Sequence, residues 1–293
     1  MASQFPALSG ASQPEQAALK HSVTADAIDP ASLWAHSCKQ MSGSQGETMI
    51  GRDGKLPVQK AHVGVIVPAV NRVCEQQFHA YAPPALGVHT MRARIAGKWS
   101  RPIEELANEI RHVTEYMAEC RPDLLVYNCT ASSMKEGPAG ERRILEIMRE
   151  ASDIEAVSTS AMVSEAFAEL GVKSVVVISP YPNNTDIVAY LTATGMQVAR
   201  DVALNLPVSE YSEVTPARWQ EIARANDVQN ADAIFLSCAA TTQIEAVAAI
   251  EQDLGKPVVN SNQSVLWGVL KRLKPKLGQM EPMPHLGSLM QTL

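Results

Sequence analysis

Long apolar runs, paired cysteines, clustered cations and phosphate-loop glycines are all missing from this 293-residue chain, and each absence removes a class of function. The longest apolar stretches, such as Ser174 to Ile178, have strand length and fall far short of the ~20 residues that a membrane-spanning helix needs. The N-terminus is rich in Ser, Gln and Ala with interspersed acids. It has neither an apolar signal core nor the Arg-rich, acid-poor character of a transit peptide, so a cytoplasmic location is expected. No block of Lys and Arg occurs and the formal net charge is -6. That argues against nucleic acid or an acidic membrane as partner, because phosphates are neutralised by clustered cations. No HExxH, GxSxG or GxGxxG motif and no glycine-rich phosphate loop is present. Catalysis is therefore expected to rest on protein side chains, with no metal, nucleotide or flavin cofactor.

Aromatics are scarce too, at 5% against 46% hydrophobic residues, which fits an Ala, Val, Leu and Ile-rich globular enzyme. The chain is long enough for one large α/β domain or two domains of ordinary size. Residues 1–60 lack periodicity, apart from a short helical pattern over Pro30 to Cys38 that holds Leu33 and Trp34. They read as an extension outside the main fold, either a tail or an arm that packs on the domain or on a second copy in a homodimer.

From His62 onward, short β-branched runs alternate with amphipathic stretches, the signature of βα units in a parallel sheet. Strands are expected over His62 to Val67, Gly87 to Ile95, Asp123 to Asn128, Glu155 to Thr159, Ser174 to Ser179, Gln197 to Leu204, Asp232 to Ser237 and Lys256 to Asn260. Helices are expected over Ile103 to Glu119, Ala139 to Ala151, Ser160 to Leu170, Asp186 to Thr194, Pro216 to Ala225 and Gln243 to Leu254.

The chain also repeats itself. VGVIVP (Val63 to Pro68) matches SVVVISP (Ser174 to Pro180), and LLVYNCTASS (Leu124 to Ser133) matches AIFLSCAATT (Ala233 to Thr242). Pro68 precedes Cys129 by 61 residues and Pro180 precedes Cys238 by 58. Two halves are implied, 61–172 and 173–275, with a tail over 276–293 and with the C-terminal segment free to pack back on the first half.

Of the five cysteines, odd in number and without zinc-type spacing, only Cys129 and Cys238 occupy matching strand ends. A strand-end thiol is often simply buried. Here, however, each thiol sits where open α/β sheets bind ligands, before a turn with free N–H groups and hydroxyls. A helix beginning there would also lower the thiol pKa. The following residues, Thr130, Ala131 and Ala239, are placed to present donors to a carboxylate or an oxyanion. Cys38, Cys74 and Cys120 read as structural. After the matching first strands of each half come Asn71 and Tyr181, which read equally as loop caps or as donors to a substrate carboxylate.

Four segments carry a resemblance: VGVIVPAVNRVCEQQFHAYAPPALGVHTMRARI, YNCTASS, ISPYPNNTD and LSCAATTQIEAVAAIEQDLGKPVVNSNQSVLWGVLKRL. Together, over roughly residues 61–275, they resemble the maleate isomerase and arylmalonate decarboxylase branch of the aspartate/glutamate racemase superfamily. The resemblance implies an α/β fold of two pseudo-symmetric Rossmann-like (flavodoxin-like) parallel-sheet domains, with a cofactor-free active site between them. It implies that Cys129 attacks an alkene carbon of a small dicarboxylate while Cys238 handles the proton. It further implies that Asn71 and Tyr181 hold the substrate carboxylates, with Asn205 as a looser counterpart of a further family asparagine. Arylmalonate decarboxylases carry glycine at the first cysteine position, whereas this chain has both thiols. The turn Pro-Ala-Val-Asn departs from the isomerase form Pro-Ser-Ser-Asn at Val70, and Arg72 departs beside it. The resulting expectation is a cis-trans isomerase of a maleate-type enedioate. A racemase or decarboxylase of another small carboxylate, and a carboxylate-binding protein, are the alternatives.

Overall fold

β-Branched residues fill the strand segments so densely that both strand faces must be covered. In β1 (Ala61–Pro68) seven of eight residues are buried, and in β5 (Ser174–Ser179) all six are. That is the habit of parallel strands sandwiched between helices, not of a sheet with one wet face. The computed structural model describes residues 57–293; the extension, with Cys38 and the helix expected around Trp34, lies largely outside them.

One sheet runs in the order β2 (Leu86–Ala93), β1, β3 (Leu124–Tyr127), β4 (Ala156–Ser158). The other runs β6 (Gln197–Ala203), β5, β7 (Ala233–Leu236), β8 (Val258–Asn260). Every pairing is parallel. The second sheet reproduces the first position for position, so the repeat seen in the sequence is a repeat of one flavodoxin-like unit. All eight expected strands are present, with ends shifted by two residues or fewer.

Helices fill three layers. On the outer face of the first sheet lie α2 (Ile103–Ala118) and α4 (Gly137–Ala151), packed on Ile66, Leu125 and Tyr127. On the outer face of the second lie α7 (Pro216–Asn226) and α8 (Val247–Leu254), packed on Val176, Ile178 and Ile234. The alternate residues, Val63, Val65 and Val175, Val177, point inward, as period-two alternation requires. There they join one continuous core with α1 (Cys74–Tyr81), α5 (Thr159–Glu169), α6 (Thr185–Ala193) and α9 (Ser261–Leu277). A short α3 (Thr130–Met134) follows β3.

Helix α9 is absent from the sequence expectations for a physical reason: its first ten residues, Ser261 to Leu270, are all buried, so no polar face marks its period. It starts with a capping box, in which the Asn260 side chain accepts from Asn262 N–H and Gln263 N–H while Gln263 answers the Asn260 N–H. It packs closely on α5 at Gly268, where a Cβ would lie 3.0 Å from Met162 Cγ. Arg272–Glu165 (2.6 Å) and Lys271–Glu169 (2.7 Å) pair along its exposed end. The last residues dock as well, burying Leu286, Leu289 and Met290 in the central core, with Trp267 Nε1 donating to Thr292 Oγ1.

The two halves are also tied by a buried carboxylate. Glu141 of α4 accepts from Ser158 at the end of β4 and, at 2.5 Å, from the Tyr190 hydroxyl of α6 in the second half. Removing one partner of a buried charged acceptor costs about 1–3 kcal/mol. Tyr190→Phe is therefore expected to lower the unfolding free energy by that amount, read as a lower urea midpoint at an unchanged m-value; an unaltered midpoint would show that the latch carries no stability.

Candidate active site

In each unit the strand order reverses between its first and third strands, so the loops leaving those two strands part and leave a crevice at their carboxyl ends. The first unit presents Pro68 to Arg72 and Cys129 to Ala131 there; the second presents Tyr181 to Asn184 and Cys238 to Ala240. The two crevices open into one cavity of about 590 Å³ whose lining includes both cysteines together with Asn71, Thr130, Ala131, Tyr181 and Ala239. Seven of the eight residues expected from the sequence are thereby brought together. Asn205 is not among the lining residues: it is exposed in the loop after β6, at φ +51°, and its backbone N–H donates to the Tyr181 carbonyl.

Asn71 performs the capping task and more. Its Oδ1 accepts from Val73 N–H (2.9 Å) and Cys74 N–H (3.0 Å), starting α1, while its Nδ2 reaches across to the Ala239 carbonyl at 2.8 Å. One amide hydrogen remains for a ligand. The same Ala239 carbonyl accepts from Asn262 Nδ2 at 3.0 Å. Asn262 also donates to Gln77 Oε1 and accepts from Asn128, which in turn accepts from Thr159. The Thr130 hydroxyl donates to Ser261 Oγ at 2.8 Å. The cysteine turns of both halves are thus held by the buried start of α9.

Cys129 is the residue that caps α3; its side chain makes no capping hydrogen bond, and the neighbouring N–H groups of Ala131 and Ser132 pull its pKa down. Cys238 is followed by a non-helical turn, and the next helical residues are the short 3₁₀ stretch Ile244–Ala246. Its sulfur instead receives the Ala240 N–H at 3.3 Å and the Tyr181 hydroxyl. The expectation that a helix start would lower both thiol pKa values is therefore corrected. No helix begins at Cys238, and burial pushes the thiols up to about 12 at Cys129 and about 11 at Cys238, outweighing their donors. A thiolate at Cys238 further opposes ionisation of Cys129.

Two residues escaped the sequence reading. Tyr211 lines the cavity and packs its ring edge-on against Tyr181, with centroids 5.9 Å apart. Burial and the charge of Cys238 push its phenol up to about 12. It lies in the connection after β6, whose first-half counterpart after β2 carries no tyrosine, so the repeat does not point to it. Asn262 lies within the GKPVVNSNQ segment, but its partners are up to 185 residues distant. Cys74 is buried against Asn128 outside the cavity lining, and Cys120 is exposed on the surface.

These features define an α/β fold of two like units with a candidate two-cysteine site between them. The arylmalonate decarboxylase family model matches residues 63–281, and the chain belongs to that family. It is 27% identical over 245 residues to a maleate isomerase of Geobacillus stearothermophilus, an alignment spanning 78% of this chain and 96% of that protein. It is 25% identical over 252 residues to a maleate isomerase of Pseudomonas putida, spanning 79% and 98%. Among solved structures, it is similar at TM-score 0.70 and 19% identity to a cysteine-to-serine variant of Nocardia farcinica maleate cis-trans isomerase. That structure carries a covalently bound succinylcysteine intermediate, and the match spans 81% of this chain and 100% of that one.

Because both thiols are held neutral in the empty site, iodoacetamide should modify Cys129 and Cys238 more slowly than exposed Cys120 near neutral pH. Their rates should keep rising until about pH 11 at Cys238 and about pH 12 at Cys129, as read by peptide mass spectrometry. A plateau at neutral pH would mean that a thiolate is already formed.

Proposed function

We propose that the chain is a cofactor-independent cis-trans isomerase of a small cis-enedioate of the maleate type, working by covalent cysteine catalysis. The observation that carries this reading is the pair of buried thiols at equivalent strand ends on one cavity. Binding alone needs neither thiol. A decarboxylase needs only a proton donor, and the family's decarboxylases resemble this chain except for glycine where Cys129 stands.

The steps follow from the geometry. Substrate carboxylates lie against the free amide hydrogen of Asn71, the Tyr181 hydroxyl and the N–H groups after each cysteine. Cys129 gives its proton to solvent as substrate binds and adds as the thiolate to one alkene carbon, and the electron pair moves toward the carboxylate on the neighbouring carbon. The Cys238 thiol delivers its proton to that carbon and becomes the thiolate. Rotation about the new single bond follows. Cys238 then takes the proton back, the carbon–sulfur bond breaks, and the trans acid leaves with Cys129 restored. The negative charge passes from Cys129 through the substrate to Cys238 and back, so the two sulfurs are never ionised together, in keeping with the repulsion between them. The bound succinylcysteine in the Nocardia farcinica protein is the kind of adduct this sequence of steps forms.

In the Cys238→Ser protein, general acid catalysis is impaired and turnover should fall by roughly 10²–10⁴-fold. Mass spectrometry should then find a succinyl-type adduct on the Cys129 peptide after exposure to maleate. Cys129→Ala should form neither adduct nor fumarate; full activity in that variant would refute the mechanism.

A further inference from the structure

The cavity is larger and greasier than a four-carbon diacid requires. Its volume of about 590 Å³ falls in the middle of the range that encloses drug-sized ligands, ~300–1,000 Å³. The reacting groups occupy its floor, where the cysteines, Asn71 and Tyr181 converge. The remaining wall includes Val70, Ile187, Leu206, Pro207 and Val208.

A second, independent observation concerns the surface. Five large hydrophobic residues are exposed among the described residues, and three of them gather on segments that line this cavity. Val70 (42% exposed) follows β1 and Val208 (44%) follows β6. Trp99 (36%) sits between the lining residues Gly97 and Ser100. Exposed apolar side chains collected at one mouth mark a ligand surface.

The extra space does not suit another charged arm. Arg72 is the one cationic side chain among the lining residues, and its Nη2 is already shared by the Ser209 carbonyl, Ser212 Oγ and Glu213. An acid, Asp186, lines the same cavity. Among the lining residues a further carboxylate would meet no cation free of an ion pair, whereas a hydrocarbon group would cover the valines.

Resting on the isomerase reading above, we propose that the substrate is a cis-enedioate bearing an apolar substituent on one alkene carbon, with the substituent lying against the wall formed by Val70, Leu206 and Val208. The chemistry is unaltered. Cys129 adds to the hydrogen-bearing alkene carbon, the neighbouring carbon takes up one proton and returns it, and the carbon–sulfur bond breaks.

The test is a comparison of kcat/KM for maleate, methylmaleate, butylmaleate and phenylmaleate by NMR, on the full chain and on Val70→Asp and Val208→Asp. The expected result is a rise of about tenfold or more from maleate to the butyl or phenyl acid, the scale on which apolar pockets discriminate. Each valine variant should shrink that ratio, and near-native circular dichroism would confirm that it folds. Maleate turned over as well as, or better than, every substituted acid overturns this inference alone. If no member of the series reacts and Cys129 takes up no adduct, the isomerase reading fails and this inference with it.

Discussion

One carbonyl oxygen holds the site together. The Ala239 carbonyl, in the turn after the second-half cysteine, accepts from Asn71 of the first half and from Asn262 at the start of α9. Both donors are fully buried, so losing either bond would leave an unpaired amide in a dry setting, which costs far more than the bond itself contributes in water. This convergence fixes the Cys238 turn against the β1 loop. Through Asn128 and Thr130, the same helix start steadies the Cys129 turn. Two thiols that begin 109 residues apart in sequence therefore face one cavity in a set geometry, and catalysis by two groups depends on such positioning.

Burial gives those thiols their chemical character. A protonated thiol in a water-poor pocket is a competent acid, and a thiolate formed beside directed N–H groups is a strong nucleophile with little solvation to shed. The charge repulsion between the two sulfurs favours a division of labour, since a thiolate at Cys238 opposes ionisation of Cys129. Symmetry supplies two similar positions, and different donors make them unequal. Cys129 has a helix start, while Cys238 has a phenol and a single turn amide.

How much of this was legible in the sequence follows from what each feature depends on. The central strands announce themselves because burial on both faces demands Val and Ile runs such as VVVI, while the partly exposed edge strands β2 and β6 follow from the alternation of strand and helix patterns. The repeat located both cysteines because a flavodoxin-like unit brings the same two strand ends to its crevice wherever it occurs. Asn71, Tyr181, Thr130, Ala131 and Ala239 followed from that placement. Asn205 did not follow, because it sits on an exposed loop with a left-handed backbone instead of in the cavity wall. Helix α9 gave no amphipathic signal since its first ten residues are enclosed on all sides. The role of Asn262 and the raised thiol pKa values are set by tertiary burial, which local pattern does not encode. The helix start expected at Cys238 failed because the Ala-Ala-Thr-Thr turn spends its backbone on other partners.

Membership of the arylmalonate decarboxylase family leaves proton transfer at Cys238 common to each reaction considered, while Cys129 separates isomerisation from decarboxylation. The most direct measurement is NMR of maleate with the purified protein in deuterated water. The fumarate vinyl resonance should grow as that of maleate declines, with no loss of carbon dioxide. Unchanged maleate, alongside carbon dioxide release from a substituted malonate or deuterium exchange at the α-carbon of an amino diacid, would contradict a two-thiol isomerase.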